Sequence, residues 1–174
     1  MSTAQVDLRG QQRIVLIGPP GAQIEAVGQW IAQQRGVSFY SGEALLSGRY
    51  NRPIGELVVE WSSEQFLAAQ VEVNEEALAR SGAWVYAAPS GVVDDLQARQ
   101  LLHQHFTIFI DADLSTSFPH TGLNAPRPVG LIAPRALWAT LLEERRPRYV
   151  EAAQHIIPAP DGEISQWAHR HLTM

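Results

Sequence analysis

The segment that decides the fold reads Arg13-Ile14-Val15-Leu16-Ile17-Gly18-Pro19-Pro20-Gly21-Ala22-Gln23-Ile24-Glu25-Ala26. Its aliphatic first part predicts a buried strand, and the glycines and prolines that follow predict a turn. Over residues 22–34 the apolar side chains recur at intervals of three and four, which indicates an amphipathic helix. A strand, a tight turn and a helix in this order are the setting of a phosphate-binding loop.

The turn departs from the usual phosphate-loop pattern, G-x-x-x-x-G-K-[ST]. Gly18 matches the first glycine and Gly21 lies in the turn, but Gln23, Ile24 and Glu25 stand where the pattern has glycine, lysine and a metal-binding hydroxyl. A carboxylate about 4 Å from a phosphate would contribute on the order of 4 kcal/mol of repulsion at an effective dielectric constant near 20. We therefore interpret these five residues as a degenerate phosphate loop.

Composition narrows the class of protein. The 174 residues, 45% of them hydrophobic, predict a single domain over 1–174. The absence of cysteine excludes a disulfide scaffold and a thiolate zinc site, and no apolar run approaches the roughly 18 residues of a membrane span. The net charge of -5 argues against a nucleic-acid partner. The first residues lack the pattern of a secretory signal, so we expect a cytoplasmic location.

All 13 basic residues are arginine, and the chain contains no lysine. Schiff-base chemistry is therefore excluded. A lysine from elsewhere in the chain also cannot take the place of the one missing from the loop.

Short apolar runs alternate with helical segments, which predicts a parallel α/β sheet. Strands are expected at 13–17, 37–40, 83–87, 106–111 and 155–157. Ser62 and Gln65 form a capping-box pattern at the start of a helix that runs towards Ser81-Gly82. A further helix is expected over 136–146, ending at Pro147. Prolines and glycines crowd the segment 117–134, which predicts a lid-like loop.

Over residues 13–172 the chain resembles the shikimate kinase family. The motifs that carry the likeness are, in chain order, Gly18-Pro19-Pro20-Gly21-Ala22, Arg35-Gly36-Val37-Ser38-Phe39, Asn51-Arg52-Pro53-Ile54-Gly55-Glu56-Leu57, His120-Thr121-Gly122-Leu123-Asn124-Ala125-Pro126-Arg127-Pro128 and Glu144-Arg145-Arg146-Pro147-Arg148-Tyr149. The resemblance implies the P-loop kinase fold, a three-layer α/β/α architecture with a five-stranded parallel sheet.

The resemblance also implies which residues bind the substrate. Glu43 matches an acid that binds substrate hydroxyls, Arg127 matches an arginine of the lid, and Arg145 matches an arginine before Pro147. At two other positions the chain departs from the family's pattern. Ser41 replaces an acid of the magnesium shell, and Leu67 replaces an arginine that grips the substrate carboxylate. The catalytic residue itself stays unassigned.

These departures led to three hypotheses about function. The first is a non-kinase paralogue, a pseudoenzyme that has lost ATP-dependent phosphoryl transfer and binds or regulates. The second is a repurposed enzyme that acts without nucleotide on a small hydroxylated or cyclic carboxylate. The third, weighted least, is an active shikimate kinase. Under the first two hypotheses, neither ATP nor magnesium is expected to bind, and the only partner expected is a small carboxylate ligand. No protein partner can be named from the sequence.

Two histidine pairs, His103 with His105 and His169 with His171, suggest a metal site at first sight. Residues two apart on a helix point to different faces, so neither pair forms a natural two-ligand site. We therefore predict no metal ligands among them.

Overall fold

The computed structural model describes residues 5–113 and 134–174. Its strands are β1 (Val6–Asp7), β2 (Arg13–Ile17), β3 (Ser38–Ser41), β4 (Trp84–Ala87), β5 (Thr107–Asp111), β6 (His155–Pro158) and β7 (Leu172–Thr173). Its helices are α1 (Ile24–Arg35), α2 (Gly42–Tyr50), α3 (Ile54–Glu60), α4 (Ser63–Leu78), α5 (Leu96–His103), α6 (Pro134–Ala152) and α7 (Ile164–His171). A short 3-10 turn at Val92–Asp94 precedes α5.

Five of the strands form one parallel sheet in the order β3-β4-β2-β5-β6. Successive residues of a strand point to opposite faces, so β2 contributes to two apolar cores. Ile14 and Leu16 join the core beneath α1 and α7, whereas Val15 and Ile17 join the core beneath α4, α5 and α6. Helices therefore cover both faces, and the predicted three-layer fold with a five-stranded parallel sheet is confirmed.

The capping box at the start of α4 is confirmed in both directions. The Ser62 side chain accepts from the backbone N–H of Gln65 at 3.1 Å, and the Gln65 side chain accepts from the backbone N–H of Ser62 at 3.0 Å. The helix ends at Leu78, before the glycine at which we expected it to stop.

The predicted end of the late helix at Pro147 is wrong, because α6 continues through that proline to Ala152. Proline costs a backbone hydrogen bond inside a helix. Here the following turn is anchored by Tyr149, which is 1% exposed and stacks on Phe109 with ring centroids 5.0 Å apart. Burial of this turn offsets the local cost of Pro147.

The predicted lid-like loop at 117–134 lies outside the described residues except for its last position, Pro134, which is the first residue of α6. The boundary of the loop is corrected accordingly. Sequence analysis also missed β1 and β7, which pair with each other in a separate two-stranded parallel sheet. Over the two described ranges, no helix is long and apolar enough to span a membrane.

Candidate functional site

A cavity of about 200 Å³ lies where the carboxyl ends of β2, β3 and β4 meet. Crevices at this edge of an open parallel sheet are where α/β proteins bind ligands. The turn between β2 and α1 forms one wall, and residues that follow β3 and β4 form the other. The lining residues are Gly18, Pro19, Pro20, Gly21, Gln23, Ile24, Glu25, Glu43, Ala88 and Ser90.

The turn keeps its tight geometry, so the predicted strand, turn and helix are confirmed. Gly18 packs closely, because a Cβ there would lie 2.9 Å from the carbonyl oxygen of Ile110. Gln23, at the position expected to require glycine, adopts the left-handed conformation with φ 64° and ψ 29°. Its side-chain amide donates to the carbonyl oxygen of Pro160 at 3.3 Å. The glutamine therefore takes the strained conformation and is tied to the segment after β6.

Three oxygen-bearing side chains meet beside this turn. The Ser41 hydroxyl donates a short hydrogen bond to the Glu25 carboxylate and also caps α2 by accepting from the backbone N–H of Ala44 at 3.1 Å. Glu43, in the first turn of α2, lines the same cavity. Although Glu43 as a residue is exposed, partial desolvation of its carboxylate raises its pKa, and the neighbouring charge of Glu25 adds to the shift. Glu25, Ser41 and Glu43 thus form a group of hard oxygen donors.

Arg145, the predicted carboxylate ligand, is already occupied by an acid of this chain. Its Nη2 lies 3.0 Å from one carboxylate oxygen of Asp94, and its Nε lies 3.3 Å from both. Arg148 contacts the same carboxylate at 2.7 Å. Arg145 does not line the cavity of Glu43. A Cβ on Gly91, the residue after Ser90 of the cavity wall, would lie 3.3 Å from the Nη2 of Arg145.

Of the three predicted substrate ligands, Glu43 lines the cavity, whereas Arg145 is paired with Asp94 in the turn that follows β4. Arg127 lies outside the described residues. Sequence reasoning missed two residues of this region. Asp94 pairs with Arg145, and the side-chain oxygen of Gln70 accepts from the backbone N–H of Gly91 at 3.1 Å. The two adjacent acids Asp94 and Asp95 are visible in the sequence as candidate partners for an arginine. Asp95 caps α5, however, and no pattern in the sequence pairs Asp94 with Arg145, 51 positions away.

A second cavity, of about 420 Å³, lies at the carboxyl ends of β5 and β6. Asp111 on its wall is paired with Arg146 at 2.7 Å. Pro158 and Ala159 line it as well, and the next residue is Pro160, which accepts from Gln23. This hydrogen bond therefore ties the loop of the first cavity to the residue that follows Pro158 and Ala159 of the second.

Across residues 5–113 and 134–174, no group of three or more histidine, aspartate or glutamate side chains is arranged to hold a metal ion. His105 and His169 each contact a backbone carbonyl oxygen four residues earlier, at 3.0 and 2.7 Å.

Comparison with known proteins gives a consistent result. The family model described as shikimate kinase matches residues 21–173. Proteins named shikimate kinase are 31% identical in Streptomyces avermitilis, over 86% of each chain, and 34% identical in Thermobifida fusca, over 80% of each chain. The structure of shikimate kinase from Acinetobacter baumannii in complex with shikimate has a TM-score of 0.83 at 22% identity, covering 94% of this chain and 92% of that one. The enzyme from Bacteroides thetaiotaomicron has a TM-score of 0.78 at 21% identity, covering 91% of this chain and 94% of that one.

These comparisons contradict the interpretation of the chain as a non-kinase paralogue, and with it the alternative of an enzyme repurposed to work without nucleotide. Curated relatives that are 31–34% identical to this chain, in alignments that cover at least 80% of each relative, are named shikimate kinase. Glu25 and Ser41 are separate departures from the family pattern in the sequence, but in the fold they are hydrogen-bonded partners. From the family model and the relatives together, the chain belongs to the shikimate kinase family.

Proposed function

We propose that this chain transfers the γ-phosphoryl group of ATP to a hydroxyl of shikimate or a close chemical relative. The names of the curated relatives support the activity. The observation that carries it in this structure is the hydrogen bond that Ser41 donates to Glu25, a residue that lines the cavity.

Relative to the family, the two functional groups stand at each other's positions. The family has a metal-binding hydroxyl at the start of the first helix and an acid after the second strand of the sheet. Here Glu25 at the helix start supplies the carboxylate, and Ser41 at the end of β3 supplies the hydroxyl. Because the two side chains touch, the same two groups stay in the same small region. One carboxylate and one hydroxyl are therefore still available for a metal shell.

The donor set fits a magnesium ion, which prefers carboxylate, hydroxyl and water oxygens. Glu25 and Ser41 would hold it, and when bound it would neutralise phosphate charge. A bound divalent cation would also offset the repulsion between the Glu25 carboxylate and phosphate. The expectation that ATP and magnesium do not bind stays untested, and the proposed activity requires the opposite.

We assign to Glu43, which lines the cavity, the role of accepting the proton of the attacking hydroxyl. A carboxylate with a raised pKa is a better proton acceptor than an ordinary one. In the transfer, a bond forms between the acceptor oxygen and the γ-phosphorus, the bond from that phosphorus to the bridging oxygen of ADP breaks, and the hydroxyl proton passes to Glu43. Arg127 and Arg145 are proposed as further ligands of the bound substrates.

The loop offers no cation of its own, because Ile24 stands at the lysine position and the chain has no lysine. Phosphoryl transfer depends on positioning and on neutralised charge, so we expect turnover to be slow and nucleotide binding to require the metal. Ile24→Lys should then raise kcat/KM for ATP by about tenfold or more, as expected for one charge-assisted hydrogen bond.

The test is a coupled assay of ADP release with ATP, magnesium and shikimate, together with calorimetry of ATP with and without magnesium. We expect shikimate-dependent ADP release and ATP binding only with the metal. Ile31→Lys would be a poor control because Ile31 is buried, so the matched control is Gln33→Lys on the exposed face of α1. The proposal is overturned if neither the wild type nor Ile24→Lys releases ADP in response to shikimate.

A further inference from the structure

The turn after β4 places a serine in the wall of the cavity that Glu43 lines. Ser90 is half-buried there and belongs to the wall formed by the residues that follow β3 and β4. Its backbone carbonyl accepts a hydrogen bond, but across residues 5–113 and 134–174 its hydroxyl makes none. A hydroxyl can both donate and accept, so this one is able to bind an oxygen of a molecule in the cavity.

The backbone around this hydroxyl is held in place from the interior. The Tyr149 hydroxyl donates to the carbonyl oxygen of Ser90 at 2.7 Å, and the Gln70 side chain accepts from the N–H of Gly91 at 3.1 Å. Tyr149 and Gln70 are themselves only 1% and 4% exposed. When a ligand binds, the serine therefore has only the rotations of its short side chain left to fix, which keeps the entropic cost of the contact small.

The segment that carries Ser90 touches the segment that carries Glu43. A Cβ on Gly42 would lie 2.4 Å from the Cδ of Pro89, so the start of α2 is pressed against the turn after β4. Glu43 and Ser90 are the next residues of these two segments, and both line the cavity. An ionised carboxylate only accepts hydrogen bonds, whereas a serine hydroxyl also donates them. The wall thus offers complementary groups to a molecule that carries several hydroxyls.

We propose that Ser90 is a specificity-determining residue whose hydroxyl binds a ring hydroxyl of the acceptor. This inference rests on the proposed function and names a group of the acceptor that the site recognises. A site that hydrogen-bonds a substrate hydroxyl discriminates against an analogue that lacks it, because the protein group is then left unpaired. Ser90 thereby selects acceptors that carry a hydroxyl at the matching ring position.

The test measures binding without nucleotide, so that it does not depend on turnover. Shikimate and three analogues, each lacking one of its ring hydroxyls, are titrated by calorimetry into the wild type and into Ser90→Ala. We expect Ser90→Ala to bind shikimate and two of the analogues about fivefold more weakly than the wild type does, as the loss of one neutral hydrogen bond predicts. The remaining analogue lacks the hydroxyl that Ser90 binds, so the two proteins should bind it with equal dissociation constants.

The matched control is Ser63→Ala, which removes an exposed hydroxyl from the first residue of α4 and should leave every dissociation constant unchanged. The proposal is overturned if Ser90→Ala binds shikimate as tightly as the wild type does, if it weakens shikimate and all the analogues equally, or if the wild type does not bind shikimate. Should Ser90→Ala fail to fold, Ser90→Gly, which lacks the hydroxyl as well, is measured in its place. Absence of ADP release would overturn the proposed kinase activity while leaving these binding ratios measurable.

Discussion

At the scale of single residues, Gln23 combines a backbone cost with a compensating contact. The left-handed conformation costs a residue with a Cβ about 1 kcal/mol relative to glycine. Its side chain donates to the carbonyl oxygen of Pro160, 137 positions away in the chain. The glutamine therefore fixes the loop at the expense of local strain.

We predict that Gln23→Gly is more stable than Gln23→Ala by about 1 kcal/mol, because both lose the bond to Pro160 but only alanine keeps the strain. Urea unfolding of the two variants measures the difference. The same pair of substitutions at Gln33, exposed within α1, should give the opposite order, since alanine is the better helix former. Equal stability of the two variants at position 23 would mean that the loop relaxes into another conformation.

At the scale of elements, α4 shows how local sequence and packing cooperate. Its first turn is closed by the reciprocal bonds of Ser62 and Gln65. Phe66 and Trp61, on either side of that cap, both pack against the small core formed with Leu46 and Leu57. The cap thereby sets where α4 begins over the helices that follow β3.

Ser62→Ala should lower the free energy of unfolding by about 1 kcal/mol, because it removes the acceptor of the Gln65 N–H. Thermal and urea unfolding provide the measurement. Ser63→Ala, one residue later and exposed, should change the stability by no more than about 0.5 kcal/mol. If the two variants are equally stable, the cap contributes nothing to the fold.

At the scale of the whole molecule, two distant segments of the chain close the core beneath α1. Val6 and Leu8 are buried beside Leu172, and the backbone N–H of Leu8 donates to the carbonyl oxygen of Thr173 at 2.8 Å. Trp167 on α7, 1% exposed, fills the same core and donates to the carbonyl oxygen of Pro158 at 2.8 Å. Residues near both ends of the described chain therefore belong to the same apolar core as α1.

Leu172→Ala should destabilise the protein by about 2–4 kcal/mol, the cost of a large-to-small change in a packed core. Met174→Ala, at a position that is 41% exposed, serves as the control and should change the stability by less than about 0.5 kcal/mol. Urea unfolding followed by tryptophan fluorescence reports on both. A loss below 1 kcal/mol for Leu172→Ala would show that the segment is not part of the cooperative core.

The sequence by itself determined the layers of this protein. Strands such as 13–17 and 106–111 are short aliphatic runs, and helices such as α4 carry their own start signals, so local physics specifies them. The resemblance then predicted the sheet and the neighbourhood of Glu43 and Arg145. Local signals failed at Pro147, because a proline predicts a helix end unless buried partners hold the next turn in place, and those partners lie far away in sequence.

Only the tertiary structure decided how the charged side chains pair. Glu25 and Ser41 are 16 positions apart, and Asp94 and Arg145 are 51 apart, so neither pair has a sequence signature. Parallel strands carry the ends of distant segments to one edge of the sheet. Near that edge Ser41 donates to Glu25, and Arg145 is paired with Asp94. The sequence specifies which groups exist, whereas their chemistry follows from which groups the fold places within hydrogen-bonding distance.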